Sequence, residues 1–290
     1  MTSGVAFKIP LTFDEAWPIL QEEAVNKLID CLETGGQPRN LGFTPNDYMR
    51  LYTFLTQSTR AVYSVCTSIN PLEVRKMYDQ YKKTFEDYIS SKVLPSLRGK
   101  GEVNLLTELL RSWRNYKAMK CWLSRFFYYL SIYYIPSRGL PSLEETSNSA
   151  FYNLVFDEIK DHVNDAIISM INKEREGEQI DRVFLKEILD IYEEIGKDSS
   201  KYYGEDIEKA IIEATGTFYS GKALNWISNL SYVDYMLKVE ECSQQEKNRI
   251  SDYLKGLRSK ERVFEAVQHE LLNVQASKLE ELKLLHGAVA

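Results

Sequence analysis

Residues 122–135, WLSRFFYYLSIYYI, are the most apolar and aromatic stretch of this chain, and they stand directly behind the basic RSWRNYKAMK of residues 111–120. Their reading decides between a membrane protein and a helical globule. Only 12 uncharged residues separate Arg125 from Arg138, whereas a spanning helix needs about 20 predominantly apolar residues. No membrane span is expected. The stretch reads as part of a core helix that closes a bundle with one face.

Working outward, the same helical period runs through nearly the whole chain. Upstream, Val74, Met77, Tyr78, Tyr81, Phe85 and Tyr88 form one stripe, and Phe13, Trp17, Leu20, Ala24, Leu28 and Cys31 form another that ends before Gly35, Gly36 and Pro38. Between them Thr44, Pro45 and Asp47 stand as a cap, a first helical residue and a capping-box acid for a helix carrying Tyr48, Leu51, Tyr52 and Leu55. The run from about Val103 to Ile135, through Leu106, Leu110, Trp113, Tyr116, Leu123, Phe127 and Leu130, is too long for an ordinary globular helix, so a break is expected inside it.

PSRGLPSLEE (136–145) is the best boundary, and further helical segments follow it, with Gly177 and Gly196 at helix-ending positions. No strand-length alternating run stands out. The expectation is an all-α protein of two groups of about five helices, 13–138 and 146–285, arranged as a helical repeat array.

Charge is distributed unevenly. Residues 73–125 hold 12 Lys and Arg against 6 Asp and Glu, within a chain whose net charge is -6. This is a local basic patch between acidic flanks, more suited to one partner than to polyanions in general. Trp and Tyr interleaved with Lys and Arg in RSWRNYKAMKCWLSR could stack bases, but Trp113, Tyr116 and Lys120 share a helical face. A core stripe with a charged flank is preferred, and no nucleic acid partner is expected.

Chemistry-bearing motifs are missing. Cys31, Cys66, Cys121 and Cys242 form no C-x-x-C pair, and His162, His269 and His286 are scattered. Reduced thiols are expected, with no metal and no cofactor. MTSGVAFKIPL has neither a long apolar run nor a positive leader, so secretion is not expected. EREGEQID (174–181) gathers acids around Gly177 without calcium-loop spacing and reads as a solvated turn. The pairs Glu144–Glu145, Glu193–Glu194 and Glu240–Glu241 read as helix faces turned to water. No catalytic residue is nominated.

RSWRNYKAMKCWLSRFFYYL, INKEREGEQIDRVFLKEILDIYEEIG and DYMLKVEEC resemble the amino-terminal region of cullins, most closely the plant members that scaffold SCF-type ubiquitin ligases. The resemblance runs from about Phe13 to Leu285. It implies an elongated stalk of about two cullin repeats, each a five-helix bundle, in a non-enzymatic scaffold of cytoplasm and nucleus. It further implies docking of a Skp-type adaptor and its F-box protein on two helices of the first repeat. By motif these carry Tyr48, Met49, Leu51 and Tyr52, and Trp113, Tyr116, Lys117, Met119, Lys120 and Arg125. Trp113 to Lys120 is expected to make the contact, with 122–135 finishing the core.

Departures from the family pattern are equally specific. LYTFLTQSTRAVYSVCT holds seven extra residues between Thr53 and Tyr63, lengthening that helix by about 10 Å. An acid–base pair after F-F-x-Y-L is replaced by Ser131 and Ile132. Full cullins continue into a carboxy-terminal region that recruits a RING protein; nothing like it follows KLLHGAVA here, so no RING partner is expected. Such a chain could compete with full-length cullin for an adaptor, or be a helical module that has lost adaptor binding.

Overall fold

The computed structural model describes residues 13–36, 71–128, 130–196, 205–254 and 260–287, and these are helical throughout, with no strand among them. The helix expected to carry Tyr48, Met49, Leu51 and Tyr52, with its seven-residue extension, falls outside the described residues. Contacts divide the chain into two units, residues 1–100 with 107–158, and residues 101–106 with 159–290.

In the first unit α1 (Phe13–Leu20) passes through a wide π-type turn, Gln21–Asn26, into α2 (Lys27–Glu33). Gly35, at φ 74°, ends it. Next come α3 (Pro71–Tyr88), a second π-type turn at Ile89–Val93, and α4 (Leu94–Leu97). The 25-residue α5 (Glu102–Phe126) begins in the second unit and enters the first. The expected break follows it: Phe127 sits in a turn, and a π-type turn at Leu130–Tyr134 leads to α6 (Ile135–Arg138). The unit ends with α7 (Leu143–Phe151), the π-type turn Tyr152–Phe156 and the first residues of α8 (Asp157–Arg175).

The α3 stripe is buried at all six of its positions, Val74, Met77, Tyr78, Tyr81, Phe85 and Tyr88. Against it α5 turns Trp113, Tyr116, Met119 and Leu123, and α7 adds Phe151. Ring centroids lie 4.8 Å apart for Trp113–Phe151 and Tyr116–Phe151, and 5.1 Å for Phe85–Tyr116. Each such ring contributes about 1.5–3 kcal/mol of transfer free energy on burial.

The segment 136–145 does not separate the units; it lies inside the first. Its prolines and glycine do interrupt the helix. Gly139, at φ 60°, closes α6 in the left-handed conformation, and Ser142 caps α7 by accepting the Glu145 N–H at 3.0 Å. Buried tyrosines then fasten this stretch. Tyr78 Oη donates to the Pro141 carbonyl at 3.0 Å, and Tyr81 Oη to that of Leu143 at 3.2 Å.

The second unit holds most of α8, then α9 (Arg182–Gly196), α10 (Glu205–Asn229), α11 (Tyr232–Asp252), α12 (Lys260–Gln268), a π-type turn at His269–Asn273 and α13 (Ala276–Gly287). Gly177, at φ 98°, makes the turn after α8. Tyr219, Ala223, Ile227, Tyr235, Val239, Val267 and Leu271 are packed into one apolar cluster.

Candidate functional site

The six residues expected at the docking face of α5 separate by helical position. Trp113, Tyr116 and Met119 recur every third residue on the inward side and are 1%, 0% and 0% exposed. They offer no area to a partner: they are the centre of the first unit's core. Tyr116 Oη donates to the Ser147 carbonyl at 2.7 Å, and burial pushes its hydroxyl well above the usual tyrosine range.

Lys120 lies at the edge of the same packing. Its Nζ donates to Asn148 Oδ1 at 2.5 Å, stands 3.3 Å from Glu144 Oε1 and lies 5.7 Å from the centre of the Trp113 ring. It joins α5 to α7. Lys117 and Arg125 face outward and are exposed, the Arg125 guanidinium lying 5.1 Å from the centre of the half-buried Trp122 ring. Of the face expected on α5, the structure thus leaves two cations on the surface and turns the aromatic anchors inward. The stretch 122–135 does finish the core, through Leu123, Phe126, Phe127, Leu130, Tyr134 and Ile135, yet its other side leaves Tyr128, Ile132 and Tyr133 exposed.

EREGEQID reads from the sequence as a solvated turn, but the side chains of its first two residues, Glu174 and Arg175, are buried. In the second unit the last residues of α8 carry a buried ion network. Glu246, fully buried on α11, accepts from Arg175 Nε at 2.9 Å, Arg249 Nη1 at 2.8 Å and Tyr219 Oη at 2.8 Å. Glu174 accepts from Arg249 Nε at 3.1 Å, Tyr253 Oη at 2.7 Å and Arg182 Nε at 2.5 Å, and Arg182 reaches Asp252 at 2.5 Å. Arg175 also donates to Thr215 Oγ1 at 2.7 Å and lies over the Phe218 and Tyr219 rings.

Burial would push the Glu246 carboxyl up, but Arg175 and Arg249 overcome it and hold the group below the ordinary carboxylate range. The same burial, together with Glu246 and Glu174, drives the Tyr219 and Tyr253 hydroxyls far upward. A cleft of about 740 Å³ lies beside the network, lined in part by Phe218, Lys222, Trp226, Lys238 and Cys242. The guanidinium groups at its edge are already engaged by carboxylates.

No group of three or more metal-ligating side chains occurs among the described residues, and no helix there is long and apolar enough to cross a membrane. Among these residues Cys31, Cys121 and Cys242 are free thiols.

Within each unit the described residues are packed α-helices. Comparison with known proteins agrees: the profile described as the Cullin alpha solenoid domain matches residues 42–289. The chain belongs to the cullin family. Cullin-1 of Oryza sativa subsp. japonica is 44% identical over 270 residues, which cover 93% of this chain and 35% of that protein. Putative cullin-like protein 2 of Arabidopsis thaliana is 37% identical, over 90% of this chain and 67% of its own length. Cullin-like protein 3 of Arabidopsis thaliana is 35% identical, over 84% and 90%. This cullin solenoid therefore spans about a third of the rice cullin and most of the shorter cullin-like protein.

Proposed function

We propose that this cullin-family chain is a non-catalytic scaffold arm that holds a Skp-type adaptor with its F-box protein, and that it competes with full-length cullin for them in cytoplasm and nucleus. The observation that carries this reading is the outward side of α5. Lys117 and Arg125 stand exposed there, two helical turns apart, on a helix whose inward side is locked by Trp113, Tyr116 and Met119. A rigid helix presenting cations to solvent suits an acidic partner, because such charges steer encounter and fix register.

The test is a pull-down of purified Skp-type adaptor with F-box protein on this chain at micromolar concentration. Capture by wild type, reduced at least about tenfold in Lys117→Glu/Arg125→Glu with an unchanged thermal midpoint, supports the proposal. No capture by wild type removes it. A second reading, a helical module that has lost adaptor binding, is motivated by the seven residues added between Thr53 and Tyr63. Under that reading, deletion of those seven residues restores capture that wild type lacks.

A further inference from the structure

The cleft beside the ion network has one cation on its wall that the network does not use. About 740 Å³ in volume, it opens between α10 and α11 and is bounded at one end by the turn after α8, all within the second unit. Small-molecule sites span roughly 300–1,000 Å³ and form readily between the helices of a bundle. On α10 the wall is Phe218, Lys222 and Trp226, spaced by four residues along one strip and all half-buried. On α11 it includes Lys238, Cys242 and Gln245. Burial raises the Cys242 thiol, so that part of the wall is neutral.

Five cationic side chains line the cleft, Arg175, Arg182, Lys222, Lys238 and Arg249, and four are engaged by carboxylates. Arg175 and Arg249 hold Glu246, Arg182 holds Glu174 and Asp252, and Lys238 Nζ stands 2.8 Å from Glu241. Lys222 pairs with no carboxylate among the described residues; its Nζ lies 5.3 Å from the centre of the Phe218 ring. That cation–π contact holds the ammonium in place. A half-buried ammonium without a counter-ion gains a charge-assisted hydrogen bond when an anion arrives, with little reorganisation. The acids nearby do not compete for it. Glu174 and Glu241 are taken by the paired cations, and Glu176 and Glu178 are exposed on the turn, where salt and water screen them.

One ammonium beside an aromatic wall selects a particular anion. Bidentate recognition of a phosphate is closed off, because every guanidinium on the wall is already paired. A single carboxylate needs only Lys222. One helical turn along α10, about 6 Å at 1.5 Å per residue, separates Lys222 from Trp226, a span that matches the reach of a bicyclic aromatic acid from ring centre to carboxylate. We propose that this cleft binds a small aromatic monocarboxylate, its ring on Trp226 and its carboxylate on Lys222 Nζ. The proposal goes beyond the scaffold reading and concerns the other unit. Its test contains no adaptor, so either can fail alone.

The probe is 2-naphthoate, titrated into the full chain at pH 7.4 and followed by calorimetry. The neutral 2-naphthylmethanol and the cationic 2-naphthylmethylamine serve as controls. Saturable one-site binding of the acid is expected, with Kd below about 1 mM for a ligand of this size, and both controls at least about tenfold weaker. Lys222→Met is expected to lose at least about tenfold at an unchanged thermal midpoint, Lys222→Arg to retain binding, and Trp226→Leu to bind more weakly than wild type. No saturation at millimolar acid overturns the proposal. So does equal affinity for the alcohol, tighter binding of the amine, which assigns the cleft to Glu176 and Glu178, or indifference to Lys222→Met.

Discussion

The two units build their centres from different physics. In the first, Tyr81, Phe85, Trp113, Tyr116, Phe127 and Phe151 pack ring against ring, and the Tyr81 and Tyr116 hydroxyls donate to the neutral Leu143 and Ser147 carbonyls, with Tyr88 alone of the α3 stripe donating to a carboxylate, Glu33, at 2.6 Å. In the second, beside an ordinary apolar cluster, the end of α8 is joined to α10 and α11 by charges taken out of water. An aromatic core tolerates any pH at which its tyrosines stay neutral. A buried ion network is directional, and it costs desolvation that only complete pairing offsets. Chemistry thus separates two units that periodicity alone makes look alike.

The contrast breaks most sharply at Glu246. Glu246→Ala leaves Arg175 buried without a carboxylate and Arg249 with Glu174 alone, and a loss of about 3–5 kcal/mol in urea unfolding is expected. Replacing all three together, Arg175→Met/Glu246→Leu/Arg249→Met, is expected to recover part of that loss, because the apolar groups carry no desolvation cost while Glu174 gives up Arg249 and keeps Arg182 and Tyr253. In the first unit, Phe151→Ala is expected to cost about 3–5 kcal/mol by cavity formation, with no polar double or triple substitution able to rescue it. If the triple variant is no better than Glu246→Ala, the network is adding stability on its own account.

Acid sharpens the comparison next. The Glu246 carboxyl is held below its ordinary value of 4.5 in the folded state. Its contribution is present above that unfolded value and is lost as pH falls through the lower folded one. Hydrogen exchange between pH 6 and 3 is therefore expected to show α10 and α11 losing protection before α3 and α5. Lowered carboxylates do occur in the first unit, at Glu73, Glu108 and Glu158, but they lie toward the surface, where solvent screens them. Alkali gives no such order. Burial raises Tyr235 to about 12, and Tyr81 and Tyr88 are also raised, so both units keep this stability below pH 10 and lose it above. Simultaneous loss of protection in acid ends the idea that the ion network sets the order.

How far these differences were legible in the sequence follows from how local each signal is. The α3 stripe is a 3.6-residue period within one helix, and every one of its positions is buried. The break after Phe126 follows from the excessive length of the apolar run. The inward side of α5 was legible in the same way: Trp113, Tyr116 and Met119 share a face with Leu123, and that argument holds against a docking role assigned to them by motif. The ion network was not legible, because Glu174 and Arg249 are 75 residues apart and Arg175 and Glu246 are 71 apart. EREGEQID carries the composition of a wet turn; only the packing of α10 and α11 on it buries its first two residues. Gly177 is the part of that turn read correctly. At φ 98°, with nothing within 4 Å of an added Cβ, Gly177→Ala meets only backbone strain, and about 1–2 kcal/mol is expected on thermal unfolding.

The smallest expected effect bears on the docking face itself, because Lys117 and Lys120 look equivalent in the sequence and differ in space. Lys120 Nζ is committed within the first unit, to Asn148 Oδ1 at 2.5 Å and toward Glu144 and the Trp113 ring. Reversing its charge removes that bond and sets a carboxylate against Glu144, so Lys120→Glu is expected to lower the thermal midpoint by a few degrees, about 1–2 kcal/mol. Lys117 is exposed, and Lys117→Glu is expected to change stability by less than about 0.5 kcal/mol. Any loss of adaptor capture in Lys120→Glu then includes damage to the joint between α5 and α7. A loss in Lys117→Glu reports the surface alone, which makes the exposed lysine the decisive position and the half-buried one its control.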